Sequence, residues 1–160
     1  MQLPMREPCP LCETARRYAW TYEGREEHNA IIVEDDLALA FIRDDRRNGY
    51  SYVIPKRHVP LITDLTDQEA GAVMTMITGV ARALVAEVTP DGLNVFQCNG
   101  VVANQSVPHV HFHLAPRWES EMTTWEPSVD RWSGDIQPLA LRVDLARRLA
   151  KRLAAGREGH

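Results

Sequence analysis

The chain has 160 residues, of which 44% are hydrophobic and 25% are charged, and its formal net charge is −4 at pH 7. These values are typical of one globular domain and lack the positive charge of a duplex nucleic-acid binder, but they leave room for a small phosphate-bearing ligand. No apolar run approaches the roughly 18 residues that a membrane span requires, and the N-terminus lacks a signal-peptide pattern, so we expect a cytoplasmic protein without a nucleic-acid or membrane partner.

Two of the three cysteines lie close together near the N-terminus, in the sequence Cys9-Pro10-Leu11-Cys12. In a reducing compartment such a pair is typical of half a metal site or of a redox pair rather than of a structural disulfide. The redox hypothesis is the weaker one, because the strand-then-helix context of a redox motif is missing here. The polar stretch that follows, residues 13–20, has room for one short helix.

Strand patterns follow in the first half of the chain. Residues 31–33 and 37–42 are β-branched or apolar runs separated by three acidic residues, a pattern that predicts a β-hairpin. A charged loop and the turn signal Asn48-Gly49 then precede a strand over residues 50–54. Pro55 ends that strand because proline has no backbone N–H to donate to the sheet.

The strongest helix signal begins at Thr66, which forms a capping box with Glu69. Apolar residues then recur at three- and four-residue spacing as far as Val88, which predicts one long apolar helix face. Pro90 and Gly92 end the helix.

The second half of the chain continues with two strands and a terminal helix. The predicted elements are a strand over residues 93–98, a loop over 99–106, a strand over 107–116, an irregular segment over 118–137 and an amphipathic helix from Leu141 onwards. An antiparallel sheet with one long helix and an additional C-terminal helix is an α+β fold.

Three histidines, His109, His111 and His113, alternate with apolar residues in the last predicted strand. Side chains two residues apart in a strand share a face at about 6.5–7 Å, so the three imidazoles should line one face of the sheet. The first and third rings would then lie about 13 Å apart, too far to bind one metal ion together. The pattern therefore favours a polar catalytic face, with room for a metal at one end.

Gln105 and Ser106 lie in the loop before this histidine strand. An amide and a hydroxyl beside imidazoles suit the binding of a phosphoryl group, whose oxygens accept several hydrogen bonds. Taken alone, a glutamine and a serine in a loop are weak evidence for a phosphate site, and the histidines that follow strengthen that evidence.

The sequence resembles the histidine triad (HIT) superfamily, whose signature is three histidines alternating with apolar residues. Residues 109–115 match that signature in full, and the resemblance covers about residues 9–118. The further matching segments are Tyr52-Val53-Ile54-Pro55-Lys56-Arg57-His58, Gly92-Leu93-Asn94, Asn99-Gly100 and Gln105-Ser106-Val107. The resemblance implies a HIT-like catalytic domain over residues 1–118, with residues 119–160 belonging to the same domain.

The resemblance also implies a function and roles for individual residues. It implies a nucleotide hydrolase or nucleotidyltransferase that cleaves at the α-phosphorus through a nucleotidyl-histidine, with His111 as nucleophile and His113 on the transferred phosphate. Gln105 and Ser106 would hold phosphate oxygens, and Ser106 would also lie near the leaving group. The implied nucleotide-binding set is Asp44, Asn94, Asn99, Gln105, Ser106 and His113, with Asp45 as the alternative to Asp44 for the ribose.

A subset of the superfamily binds zinc through an N-terminal Cys-x-x-Cys pair, and all four ligand positions of that subset are filled here. The implied ligands are Cys9, Cys12, His58 and His109. Two thiolates and two imidazoles form a closed tetrahedral set, so this zinc would be structural.

Two other function classes stay open besides the nucleotide enzyme. One is a nucleotide-binding or interaction module with incidental turnover, and the other is a zinc hydrolase that uses the three histidines directly. We also expect a homodimer, because a single small sheet leaves edges that need cover. Trp118, Trp125 and Trp132 lie in the irregular segment, and large aromatic residues of this kind are enriched at interfaces.

Overall fold

The helices and strands follow one another in the order that the sequence patterns predict, with one additional hairpin. In this computed structural model the described residues are 1–5, 8–22, 25–43, 48–119 and 137–157. Within these ranges the helices are α1 (Pro10–Arg17), α2 (Asp67–Val88) and α3 (Leu139–Arg157), and the strands are β1 (Ala19–Tyr22), β2 (Arg25–His28), β3 (Ala30–Glu34), β4 (Ala38–Ile42), β5 (Ser51–Pro55), β6 (Gly92–Gln97) and β7 (Phe112–Arg117). The α+β prediction is confirmed.

Five strands form one antiparallel sheet in the order β3-β4-β5-β7-β6, and β1 pairs with β2 in a separate hairpin. Because side chains alternate along a strand, each strand contributes to two different clusters. One face of the sheet packs against α2 and α3 and forms the larger core. The opposite face carries Phe41, Tyr50, Tyr52 and Ile54 and packs against Leu11 of α1. This second face, below called the histidine face, also carries His113.

Helix α2 begins as its capping box predicts. The Thr66 hydroxyl accepts from the backbone N–H of Glu69, and the Glu69 carboxylate accepts from the backbone N–H of Thr66. By length and composition alone α2 could cross a membrane, with a mean hydropathy of 1.4. Its buried residues, among them Val80 and Leu84, belong to the core cluster on the sheet, which is the arrangement of a core helix.

Helix α3 belongs to the same packed unit as the sheet. Leu145, Ala146 and Leu149 are buried in the larger core, and α3 contacts α2, β3 and β4. At its exposed side Arg148 donates to Glu87 of α2 over 2.6 Å. The terminal amphipathic helix that the leucine spacing predicts is therefore present and packs against the long helix.

Three local features differ from the sequence expectations. The short helix begins at Pro10 rather than within residues 13–20, because proline suits the first turn of a helix, where its missing N–H costs nothing. The β1–β2 hairpin over residues 19–28 was not expected. Strand β7 begins at Phe112 rather than at residue 107, since Pro108 has no N–H for a ladder and the N–H of Val110 donates to Val59 instead.

Candidate metal centre and active site

Four side chains from three parts of the chain form one cluster. Cys9 is the N-cap of α1, Cys12 lies in the first turn of α1, His58 follows β5 and His109 precedes β7. The ligand atoms of these four residues all lie within 4.8 Å of one another. The sulfur-to-nitrogen distances are 3.6 Å from Cys9 to His109, 3.5 Å from Cys12 to His109 and 3.2 Å from Cys12 to His58. Bond lengths of about 2.3 Å to sulfur and 2.05 Å to nitrogen would separate two tetrahedral ligands by about 3.6 Å. The donor set therefore fits a tetrahedral zinc ion.

The protonation state of the His109 ring suits a role as a metal ligand. Its Nε2 lies 2.9 Å from the carbonyl oxygen of Pro55, which can only accept, so Nε2 carries the proton and Nδ1 presents its lone pair to the sulfurs. Burial lowers the pKa of His109 to about 4, so the ring is neutral at pH 7. Burial and the neighbouring Cys9 raise the pKa of Cys12 to about 11 in the metal-free cluster. A bound cation would reverse that effect on the thiol.

His111 is held in the opposite tautomer. Its Nδ1 donates over 2.7 Å to the backbone carbonyl of His109, so the lone pair of a neutral His111 ring lies on Nε2. The side chain is 2% exposed. Burial lowers the pKa of His111 to about 4, and the positive charge of Arg43 contributes to that lowering. At pH 7 the imidazole is therefore neutral and nucleophilic at Nε2.

His113 lies beside His111 in an aromatic environment. The two ring centroids are 4.8 Å apart, closer than the 6.5–7 Å expected from strand spacing, and the angle between the ring planes is 54°. Phe96 of β6 stacks on His113 at 4.3 Å, and the Tyr50 hydroxyl lies 2.6 Å from His113 Nδ1. The histidines thus divide into one in the metal cluster and two side by side on the histidine face.

The loop before the histidines is held by the side chain of Gln105. Its carbonyl oxygen accepts from the backbone N–H of Gly100, and its amide donates to the carbonyl of Pro60, each over 2.6 Å. Gly100 has φ +80° and ψ 161°, a conformation nearly restricted to glycine. Ser106 is exposed at the end of this loop. Gln105 therefore has a structural role, and its contact with phosphate stays a prediction.

The remaining predicted nucleotide-binding residues lie in different parts of the chain. Asn94 is on β6, two residues from Phe96, so both side chains lie on the face that carries His113. Asn99 accepts from the backbone N–H of Ile62 over 2.9 Å and donates to Gln97. Asp44, and with it the choice between Asp44 and Asp45, lies outside the described residues.

Two tyrosines and one arginine of this site were missed by the sequence analysis. Tyr50 and Tyr52 contact His113, and the guanidinium of Arg43 donates to the Tyr52 hydroxyl over 2.6 Å. The alternation of Tyr50, Tyr52 and Ile54 could have indicated that these side chains share a face. It could not have indicated that the face is the one with the histidines, because that depends on the pairing of β5 with β7.

Comparisons with known proteins agree with this geometry. The HIT domain family model matches residues 24–120. The chain is similar to Protein hit from Bacillus subtilis (strain 168), at 34% identity over 131 residues that cover 79% of this chain and 87% of that protein. It is also similar to adenosine 5'-monophosphoramidase hnt1 from Schizosaccharomyces pombe, at 34% identity over 91 residues, or 56% of this chain and 65% of that protein.

A solved structure shares the fold. The crystal structure of a Zn-bound histidine triad family protein from Mycobacterium smegmatis superposes with a TM-score of 0.70. The alignment covers 96% of this chain and 98% of that chain, at 24% identity. At this level of identity the likeness shows a common fold.

Proposed function

Since this chain belongs to the histidine triad (HIT) family, we propose that it is a nucleotide hydrolase that cleaves phosphoanhydrides or phosphoramidates at the α-phosphorus. A family model matching residues 24–120 and the similarity to an adenosine 5'-monophosphoramidase support this reaction class. The substrate is a small nucleotide. A nucleotidyltransferase of the same mechanism is the closest alternative, with a second phosphate taking the place of water as acceptor.

The hydrogen bond from His111 to the His109 carbonyl carries the proposal. It fixes the proton on Nδ1 and leaves Nε2 of a neutral ring to attack the α-phosphorus. In the first step the Nε2–P bond forms and the bond to the leaving group breaks, with the electron pair going to the leaving group; an amine leaving group also takes up a proton from water. In the second step water attacks the phosphorus, the N–P bond breaks, its electron pair returns to Nε2, and the water proton is released with the nucleoside monophosphate.

The neighbouring residues bind and orient the phosphate in this proposal. His113 donates from its ring to an oxygen of the transferred phosphoryl group, and Ser106 contacts the phosphate close to the leaving group. Gln105 holds the loop that presents Ser106, through its hydrogen bonds to Gly100 and Pro60. Asn94 and Asn99, together with Asp44 or Asp45, are proposed to contact the nucleotide.

Hydrolysis assays with the zinc-loaded protein test the proposal. Nucleoside phosphoramidates and dinucleoside polyphosphates should both be tried, with release of the nucleoside monophosphate as the readout. His111→Ala should lower kcat by several orders of magnitude because the ring is the attacking group, and circular dichroism and zinc content check that replacing this buried side chain leaves the fold in place. A variant that kept more than about a tenth of the wild-type kcat would remove His111 as nucleophile.

Two other classes predict different results. If the protein were a binding module, the wild type would bind the nucleotide but would release the nucleoside monophosphate no faster than the His111→Ala variant. A zinc hydrolase using the three histidines would need an open metal position, whereas four protein ligands from Cys9, Cys12, His58 and His109 close the tetrahedron. The cluster geometry therefore favours a structural metal and a metal-free catalytic face.

We also propose that this cluster binds one structural zinc ion per chain. Bound zinc would displace the protons of the two thiols and would link α1 to the segment that carries His111. Elemental analysis should show one zinc per chain in the wild type and in Cys98→Ser, the matched control, since Cys98 lies outside the cluster. Cys12→Ser should lose most of the metal, and an equal zinc content in both variants would disprove the assignment.

A homodimer is proposed through the edge strand β6. In the described sheet β6 is a terminal strand, and its Val95 side chain is 45% exposed. A second copy could extend the sheet there and cover the edge around a two-fold axis. Trp118 follows β7 and is half-buried, whereas Trp125 and Trp132 lie outside the described residues. Light scattering should give twice the mass of one chain, and Val95→Asp should shift that mass towards the monomer.

Two further proposals concern the extent of the domain and the cellular compartment of the protein. We propose that residues 119–160 belong to the same domain as residues 1–118, because Leu149 of α3 is fully buried in the core of the sheet. We propose the cytoplasm as the compartment, because zinc binding needs Cys9 and Cys12 reduced. No nucleic-acid or membrane partner is proposed.

A further inference from the structure

Tyr50 is fully buried immediately before β5, and its hydroxyl lies 2.6 Å from Nδ1 of His113. We propose that Tyr50 is a positioning residue that donates this hydrogen bond and thereby keeps the proton of His113 on Nε2, the nitrogen that meets the phosphate. The inference deepens the proposed function and rests on it, since it concerns the same phosphate-binding face.

Ring packing fixes the plane of the His113 imidazole but does not determine which of its two nitrogens carries the proton. Phe96 stacks on the ring at 4.3 Å with an interplanar angle of 4°, and Tyr52 packs edge-on at 4.7 Å. Apolar and aromatic contacts of this kind hold either tautomer of a neutral imidazole equally well. A directional hydrogen-bonding group is therefore needed to select between the two ring nitrogens.

The direction of the hydrogen bond follows from what the phosphate requires. Phosphate oxygens accept, so a neutral His113 can bind one only if the nitrogen facing it carries the single ring proton. That leaves Nδ1 with a lone pair, which the Tyr50 hydroxyl can satisfy as a donor. If Nδ1 carried the proton instead, the phosphate would face a lone pair and be repelled.

This assignment makes the two neighbouring histidines complementary. The His109 carbonyl accepts from Nδ1 of His111 and leaves a lone pair on Nε2, which suits a nucleophile. The Tyr50 hydroxyl donates to Nδ1 of His113 and leaves an N–H on Nε2, which suits an anion-binding group. Two adjacent imidazoles with ring centroids 4.8 Å apart thus take opposite tautomers because an acceptor contacts one and a donor contacts the other.

The test combines imidazole nitrogen NMR with kinetics on three proteins. Long-range proton–nitrogen correlation spectra of ¹⁵N-histidine-labelled, zinc-loaded protein distinguish protonated from unprotonated ring nitrogens. Tyr50→Phe removes the hydroxyl and keeps the ring. Ser51→Ala is the matched control, since it removes a buried hydroxyl from the next residue, whose hydrogen bond goes to the Gly49 carbonyl rather than to the site.

In the wild type and in Ser51→Ala, His113 should be protonated on Nε2 alone. In Tyr50→Phe both tautomers should be populated, and kcat should fall about tenfold with KM within about twofold, the size expected for losing one positioning hydrogen bond. A wild-type His113 protonated on Nδ1, or on both nitrogens, would overturn the inference without any variant. So would a Tyr50→Phe protein with unchanged tautomer and kcat.

These outcomes separate the inference from the proposed function. If the tautomer responds to Tyr50→Phe but no protein in the series releases a nucleoside monophosphate, the positioning role stands and the proposed hydrolase fails. If the wild type hydrolyses nucleotides and Tyr50→Phe matches it in both readouts, the hydrolase stands and the role of Tyr50 fails.

Discussion

The carboxylate of Glu69 joins the start of α2 to the segment that carries His58, and replacing it by glutamine should destabilise the protein. Glu69 is 5% exposed and accepts from Arg57 Nε over 2.7 Å and Arg57 Nη2 over 2.8 Å. It also accepts from the backbone N–H of Thr66 over 2.9 Å. Glutamine keeps the shape but loses the charge and turns an N–H group towards these donors.

The size of the effect follows from the pKa. The hydrogen bonds from Arg57, and then that from the Thr66 backbone, lower the pKa of Glu69 from 4.5 to about 2. At about 1.36 kcal/mol for each pKa unit, the full shift would correspond to about 3.4 kcal/mol. The Arg57 side chain is 53% exposed, so solvent screening reduces the contribution, and we expect Glu69→Gln to lower the free energy of unfolding by about 1–2 kcal/mol at pH 7.

The pH dependence has a definite sign. Because the folded-state pKa of Glu69 is depressed, the stabilisation is complete above the unfolded-state pKa near 4.5 and is lost as the pH falls towards about 2. The difference between wild type and Glu69→Gln should therefore be constant from pH 7 to pH 5.5 and smaller at pH 3.5.

Urea unfolding at these three pH values measures the difference, with Asp67→Asn as control. Asp67 is exposed in the same first turn, so its variant removes one charge from the helix N-terminus and should cost about 0.3 kcal/mol. Equal losses in the two variants at pH 7 would refute the reasoning, as would a Glu69→Gln difference that does not change with pH.

Three further perturbations have expected outcomes. Removing zinc with a chelator at pH 7 should lower the melting temperature of the wild type by about 10 °C or more and leave Cys9→Ser unaffected; equal shifts would count against the metal centre. Leu149→Ala should cost about 2–4 kcal/mol in urea unfolding and exposed Leu141→Ala less than about 0.5 kcal/mol, whereas similar losses would separate α3 from the core. Gly100→Ala should cost about 1–3 kcal/mol because of its φ of +80°, and an unchanged melting temperature would show that the loop relaxes freely.

Local patterns were sufficient for the elements whose signals lie within a few neighbouring residues. The capping box at Thr66 and Glu69 predicted the start of α2, and the apolar spacing predicted its extent to Val88. The α+β fold class followed from these elements. The alternating histidines predicted three imidazoles on one face, and the structure has His111 and His113 side by side there, with ring centroids 4.8 Å apart.

The features that the sequence did not predict depend on contacts between distant residues. Tyr50 and His113 are 63 positions apart and meet only because β5 pairs with β7. The tautomer of His109 depends on a carbonyl 54 positions away, at Pro55. The proposed metal ligand set was implied by the family resemblance rather than by spacing, because His58 and His109 have no local relation to the cysteine pair. Periodicity within one segment contains no information about such pairings.

In the proposed reaction Nε2 of His111 forms a covalent bond to the α-phosphorus of a nucleotide. Single-turnover incubation with an α-phosphorus-labelled nucleoside phosphoramidate or dinucleoside polyphosphate, quenched and analysed by mass spectrometry, tests it most directly. We predict an acid-labile nucleotidyl group on the peptide that contains residues 109–113, localised to His111 and missing in His111→Ala. Turnover by the wild type without any labelled peptide, or with the label on His113, would contradict the account.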